Sequence, residues 1–144
     1  MINKSINKSI IKSIIKNYLI FLHIIILLYL VLYALIIKNT KYDYIYIIFL
    51  YCIIIHWLFL KGECILSYLF QKIKNNNYSL GTDFKNDDYY YLFGKYRNNI
   101  LLIKNILVTL NIYILYKRND SYKSIIIIMI ILYICVKYKY PHIN

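Results

Sequence analysis

The stretch HWLFLKGEC, His56 to Cys64, brings an imidazole, a carboxylate and a thiol together at the end of an apolar run. Histidine changes charge near neutral pH, and a carboxylate on its face orients the ring or shares its proton. Cysteine adds a reactive thiol. Two further polar side chains, His23 and Lys104, sit inside other apolar runs. His23 lies five residues into the first run, His56 four residues before the end of the second, and Lys104 four residues into the third. At about 1.5 Å per helical residue, both histidines fall roughly 6–8 Å inside the same boundary, with Lys104 at a similar depth. Cys135 lies near the corresponding end of the fourth run.

If the second helix continues through ILSYLFQKIK past Gly62, Glu63 follows His56 by about 700° of rotation. That leaves the two only about 20° apart. Cys52, His56, Glu63 and Ser67 would then share one face. The candidate polar cluster is therefore His23, His56, Glu63, Cys64, Ser67 and Lys104. Its chemistry has several readings. His23 and His56 at matched depth on facing helices are the arrangement that bis-histidine haem or a metal requires, although neither helix carries small residues that would make room for a porphyrin. His56, Glu63 and Cys64 are the residue types of a membrane enzyme. Lys104, Asn105 and Asn111 would line a polar path in a channel or transporter. Cys64 and Cys135, at the cytoplasmic ends of their spans, are candidates for reversible acylation, with Cys52 mid-span and inaccessible.

Ordinary roles stand beside each of these. A histidine in a span hydrogen-bonds a neighbouring helix. Trp57 is an interface anchor. Lys104 is near enough to the boundary to snorkel. Cys64 and Cys135 serve equally as free thiols, and Lys61 and Glu63 as solvated loop charges. The chain has no HExxH, Walker A loop, GxSxG or dinucleotide fingerprint, so no catalytic residue is assigned and no cofactor is expected, haem being the one alternative. The three cysteines make no CxxC and no metal-finger spacing.

Four apolar blocks must position these residues. YLIFLHIIILLYLVLYALII covers 18–37, YIYIIFLYCIIIHWLFL 44–60 and ILLIKNILVTLNIYILY 100–116. SIIIIMIILYICV reaches spanning length only by taking in Tyr122 and Tyr138, which gives 122–138. A hydrocarbon core of about 30 Å needs roughly 20 helical residues. Over the whole chain 61% of residues are hydrophobic and 19 are Tyr, against 3 Gly and 1 Pro. Mean hydropathy is +0.53. The apolar residues come in blocks and not in alternation, which argues against a membrane barrel. The fold class expected is an all-α, polytopic integral membrane protein with four transmembrane helices in a small bundle. The first block is too long for a signal peptide and lacks a following cleavage site, so it reads as a retained anchor.

The organisation that follows is a basic N-terminal segment 1–17, a transmembrane domain 18–138 with a non-spanning segment 61–99, and a tail 139–144. Net charge is +12. Because it lies between the hydrophobic blocks, the partners it implies are the bilayer and its anionic headgroups, not nucleic acid. Other membrane proteins or a second copy remain open as partners. Lys4, Lys8, Lys12, Lys16, Lys61, Lys72, Lys74, Lys85, Lys95, Arg97, Lys137 and Lys139 fall on one side. Lys38, Lys41, Lys117, Arg118 and Lys123 fall on the other. The imbalance places both termini and the segment 61–99 in the cytoplasm. MINKSINKSIIKSIIK repeats lysine every four residues with isoleucine out of phase. It reads as an orienting basic tail, or as an interfacial helix on anionic lipid. Asn86, Asp87 and Asp88 would cap a short helix through YYYLF at the headgroup layer.

The pattern H-W-x-x-x-x-G-E-C-x-x-S, with Y-S-L-G-T-D further on, resembles small multi-span membrane proteins of large DNA viruses. The similarity covers His56 to Asp83. It implies a shared structural element and supplies no activity. The function expected from sequence is a structural or accessory membrane protein without demonstrable chemistry. The alternatives are a small channel or transporter, or a redox or metal protein using the paired histidines.

Overall fold

The computed structural model of the chain describes residues 2–82 and 88–140. Six α-helices account for most of them: α1 (Ile2–Ile36), α2 (Asp43–Phe59), α3 (Ile65–Lys74), α4 (Asp88–Phe93), α5 (Arg97–Arg118) and α6 (Lys123–Lys139). Among the described residues there is no strand. Short 3-10 turns at Thr40–Tyr42, Gly94–Tyr96 and Asp120–Tyr122 lead into α2, α5 and α6. With these turns, four helical stretches are long and apolar enough to cross a membrane: Ile10–Ile36, Thr40–Phe59, Tyr89–Arg118 and Asp120–Lys139. Met1, 83–87 and 141–144 lie outside the described residues. With them go Asp83 of the viral-type pattern, Lys85, the Asn86–Asp87 part of the expected cap and most of the expected tail.

α1 is a single 35-residue helix, about 52 Å long, so the basic leading segment and the first apolar run are continuous. It packs on α5 over its apolar half and on α3 lower down, while α2 packs on α6. One core cluster joins Tyr33 and Ala34 of α1, Tyr46, Leu50 and Ile54 of α2, Leu115 of α5, and Ile126, Met129 and Val136 of α6. A second joins Leu19 and Ile20 to Leu66 and Phe70, which seats amphipathic α3 against α1. Outward positions such as Phe21, Ile25, Leu28, Ile48, Leu102, Ile106, Ile131 and Ile134 are exposed. An apolar belt of this extent suits acyl chains, not water.

Two polar devices lock the helices. The chain's single alanine, Ala34, lets α5 approach the α1 backbone. There the Ala34 N–H donates to Asn111 Oδ1 at 2.6 Å, and Asn111 Nδ2 donates to the carbonyls of Val31 and Leu107, each at 2.7 Å. Asn111 is wholly buried and its amide is spent on main chain. It therefore does not stand with Lys104 along a polar path, as its spacing had indicated. The second device is at the end opposite α3. Asp43, fully buried, accepts from Arg118 Nε at 2.9 Å, from Arg118 Nη2, from Tyr33 Oη at 3.1 Å and from Asn119 Nδ2 at 2.8 Å. Arg118 Nη1 also donates to the Ile37 carbonyl at 2.7 Å. One carboxylate thus ties α1, α2 and α5 together. Tyr33 stacks on Tyr46 with centroids 4.2 Å apart, and the Tyr46 hydroxyl donates to the Leu30 carbonyl at 2.5 Å.

Candidate functional site

The expected continuation of α2 through Gly62 does not occur. α2 ends at Phe59, Lys61 takes φ 53° and Gly62 φ 84°, and the Gly62 N–H donates to the Trp57 carbonyl at 2.7 Å. This is a Schellman-type stop. Lys61, not glycine, occupies its left-handed position. The chain turns and α3 restarts at Ile65 with Cys64 as its N-cap residue. The turn overturns the shared-face argument for Cys52, His56, Glu63 and Ser67. It nevertheless folds α3 back beside the end of α2, and that brings the same residues around one space.

That space is a cavity of about 320 Å³ between α1, α2, α3 and α5. His23, His56, Glu63, Cys64, Ser67 and Lys104 all line it, as do Cys52, Tyr89 and Arg97. Its remaining wall is apolar and includes Leu30, Phe49, Ile53 and Trp57. Cys64 is the centre of the polar group. His23 and His56 both hydrogen-bond its thiol, and the Leu66 N–H does so from the first turn of α3. Burial would push the thiol up. The two imidazoles and the helix N–H outweigh it and pull it down to about 6.

His56 has a second duty. Its Nε2 accepts the Ile65 N–H at 2.8 Å, satisfying one of the donors a helix leaves open at its start. In the neutral ring the proton is therefore on Nδ1. His23 is buried and meets Tyr89 edge-on, with ring centroids 4.9 Å apart. The two histidines thus converge on a thiol, with one ring nitrogen of His56 already committed to backbone. They do not frame an open axial space for haem. Among the described residues, no three His, Cys, Asp or Glu side chains are grouped to hold a metal ion.

Glu63 lines the cavity but its carboxylate holds a loop. Oε1 accepts from the Tyr78 hydroxyl at 2.8 Å and Oε2 from the Gly81 N–H at 3.2 Å, while Lys72 Nζ donates to the Tyr78 carbonyl at 2.9 Å. Ser67 is buried one turn beyond Cys64 on α3. Lys104 is buried, with its Nζ 5.9 Å from the Tyr89 ring centroid, so it points inward and does not snorkel. Cys52 lies within the candidate span Thr40–Phe59, exposed on the surface of α2 and bordering the cavity. Cys135 is exposed on α6 and lies apart from this group. Trp57 packs against Tyr133 at 6.2 Å.

Sequence reasoning missed Tyr78, Tyr89 and Arg97. Tyr89 lay in the run expected to rest on headgroups, and Arg97 was counted only for orientation. Arg97 stands seven residues before Lys104 on α5, so the same helical spacing that groups Lys104 with Asn111 marks it, whereas Tyr89 lies on the separate short helix α4 and no spacing points to it.

A second cavity of about 310 Å³ lies deeper, between α2, α5 and α6. Leu50, Ile54, Val108, Ile112, Met129 and Ile134 give it a mainly apolar wall, which Asn105 and Thr109 of α5 interrupt beside Lys104. Leu30, Ile53, Trp57 and Lys104 line both cavities, so the two adjoin. No family model matches the chain, and no curated protein or solved structure matches it either.

Proposed function

We propose that this chain is a multi-pass membrane protein in which Cys64 accepts an acyl group at the cytoplasmic edge of the bundle. Both termini and the segment 61–99 face the cytoplasm, a side chosen by the lysine and arginine imbalance. The basic N-terminal half of α1 meets anionic headgroups on that side. The observation that carries the reading is the thiol of Cys64, set at the start of α3 and hydrogen-bonded by two imidazoles. This is the environment that keeps a cysteine ionised near neutral pH and makes it a nucleophile.

The reaction it supports is acyl transfer. The Cys64 thiolate attacks an acyl carbonyl, the bond from that carbon to its leaving group breaks, and the electron pair departs with the leaving group. An imidazole supplies the leaving group's proton, and the product is a Cys64 thioester. The reading adds a reactive thiol to the structural or accessory membrane protein expected from sequence. It also favours Cys64 over Cys135 as the acylated residue, because Cys135 has no such neighbours.

The test is mass spectrometry of protein purified from its expression membrane, with Cys52 and Cys135 changed to serine. A hydroxylamine-labile acyl adduct on Cys64, absent from Cys64→Ser, is expected. Unmodified Cys64 after exposure to acyl donors in vitro would contradict the proposal.

A further inference from the structure

We infer that the face of α1 turned away from the bundle pairs with α1 of a second copy of this chain, and that the cytoplasmic end of that face drives the pairing. The argument starts from length. The candidate spans through α2 and α6, Thr40–Phe59 and Asp120–Lys139, have 20 residues each, whereas that of α1, Ile10–Ile36, has 27. At the Asp43 end α1 and α2 are level, because Arg118 bonds both Asp43 and the Ile37 carbonyl. Counted back from Ile36, a span of 20 residues stops at Asn17. Residues 10–16 therefore extend about 10 Å beyond the end of α2, past a hydrocarbon core of about 30 Å.

Apolar side chains in that layer need a cover that acyl chains do not supply. Ile10, Ile11, Ile14 and Ile15 lie there and are exposed. The neighbouring lysines are turned to their own chain. Lys12 Nζ donates to Asn76 Oδ1 at 3.5 Å, and Lys16 Nζ lies 5.4 Å from the ring centroids of both Phe70 and Tyr91. What this part of α1 presents outward is thus its isoleucine side.

The same side runs on into the span with the spacing of a coiled-coil seam. Ile11, Ile14, Tyr18, Phe21, Ile25 and Leu28 follow one another by three and four residues in turn, and each is 46–64% exposed. Leu19, Ile20 and His23 are buried on the opposite side, toward the bundle. At these exposures the six side chains present roughly 700 Å² per copy, close to the about 800 Å² per partner of a stable interface. No charged residue interrupts the seam, so no like charges meet across it. Copies inserted with one orientation are related by an axis along the membrane normal. α1 then meets α1 in parallel, with Ile14 facing Ile14. Inside the bilayer the seam offers packing alone, since lipid covers Ile and Leu as well as another helix does. The driving force comes from residues 10–15, where the competing cover is water and headgroups.

Cross-linking tests the register. The full chain carries Cys52→Ser, Cys64→Ser and Cys135→Ser, with either Ile14→Cys or Ser13→Cys as its one thiol. Oxidation by copper phenanthroline in liposomes should link Ile14→Cys into a dimer, since facing seam positions come within the about 7 Å that a disulfide spans. Ser13→Cys, exposed but off the seam, should stay monomeric. Self-association is read by energy transfer between copies labelled separately at Lys41→Cys and diluted with lipid. Ile14→Asp sets like charges across the axis and should raise the protein density needed for half-association about 100-fold. Ile11→Asp, on the same seam, repeats the test. Energy transfer no greater than that of randomly placed monomers overturns the inference and leaves the isoleucines to the headgroup layer. A dimer that links through Ser13→Cys and not Ile14→Cys, or that both aspartates leave unmoved, overturns it by placing the contact on another face. Cys64 is serine throughout, so either failure leaves its reading as acyl acceptor standing.

Discussion

A thiol packed partly among apolar side chains is ordinarily harder to ionise than one in water. Cys64 goes the other way because three donors reach it: His23, His56 and the Leu66 N–H. Removing either ring should raise the pH at which the thiol becomes reactive. His56→Ala should do more, since it also strips the Ile65 N–H of its acceptor and unfastens the start of α3. A rate-versus-pH series for iodoacetamide on the two single variants checks this, with the larger shift and a lower melting temperature expected for His56→Ala. Glu63 acts on a different part of the structure. Its bonds to Tyr78 and Gly81 hold the segment after α3 over the site. Glu63→Gln keeps the size but weakens acceptance from both donors, so limited proteolysis within 75–82 should become faster.

The elements show what was legible in the sequence and what was not. Each of the four apolar blocks falls on a helix to within one residue at its ends, because long runs of Ile and Leu carry their own signal. The turn after α2 was not legible. Gly62 alone does not compel a stop, and lysine is a poor choice for the left-handed position that Lys61 fills. That misfit is testable. Lys61→Gly should stabilise the protein by about 1 kcal/mol, read as a rise in melting temperature in detergent, and Lys61→Val should lower it. The site was half legible. Depth alone matched His23, His56 and Lys104, and Arg97 follows from its seven-residue spacing to Lys104 on α5, whereas Glu63, Cys64 and Ser67 reach the cavity through the fold-back and Tyr89 through the separate helix α4.

Asn111 was read as pore-lining from its spacing to Lys104, but spacing does not reveal that an amide will spend itself on a neighbouring backbone. Asp43 was overlooked because its partners Tyr33, Arg118 and Asn119 are distant in sequence. Asp43→Asn should destabilise the bundle by about 3 kcal/mol, since it leaves Arg118 partly buried without its counter-charge. Asp43→Asn combined with Arg118→Met should recover part of that loss in the same unfolding assay.

At the scale of the whole molecule, the bundle is polar at its two ends for different reasons. The end with Asp43 and Arg118 is closed by an ion pair and short connections. The end with α3 and α4 carries the cavity, the thiol and the basic half of α1, where Lys16 lies over Phe70 and Tyr91. This division bears on tests of orientation. Four glycosylation sequons begin at Asn3, Asn7, Asn77 and Asn119, but the Asn119 amide is bonded to Asp43, so Asn119→Gln is not a neutral control. Asn77 is exposed and suits the purpose. With the α3 end in the cytoplasm, Asn77→Cys in a chain without its native cysteines should be labelled by an impermeant maleimide only after the membrane is opened. Lys41→Cys should be labelled in intact cells. The reverse pattern would invert the orientation.

The proposed role of Cys64 as acyl acceptor requires that its thiol be ionised near neutral pH in the folded chain. The direct measurement is the pH dependence of its alkylation by iodoacetamide, in protein reconstituted with Cys52→Ser and Cys135→Ser so that Cys64 is the only thiol. The arrangement of His23, His56 and the α3 N-terminus predicts a half-maximal rate near pH 6, moving upward when either histidine is removed. A half-maximal rate at about 8.5, the value of an ordinary cysteine, and unmoved by either histidine variant, would contradict it.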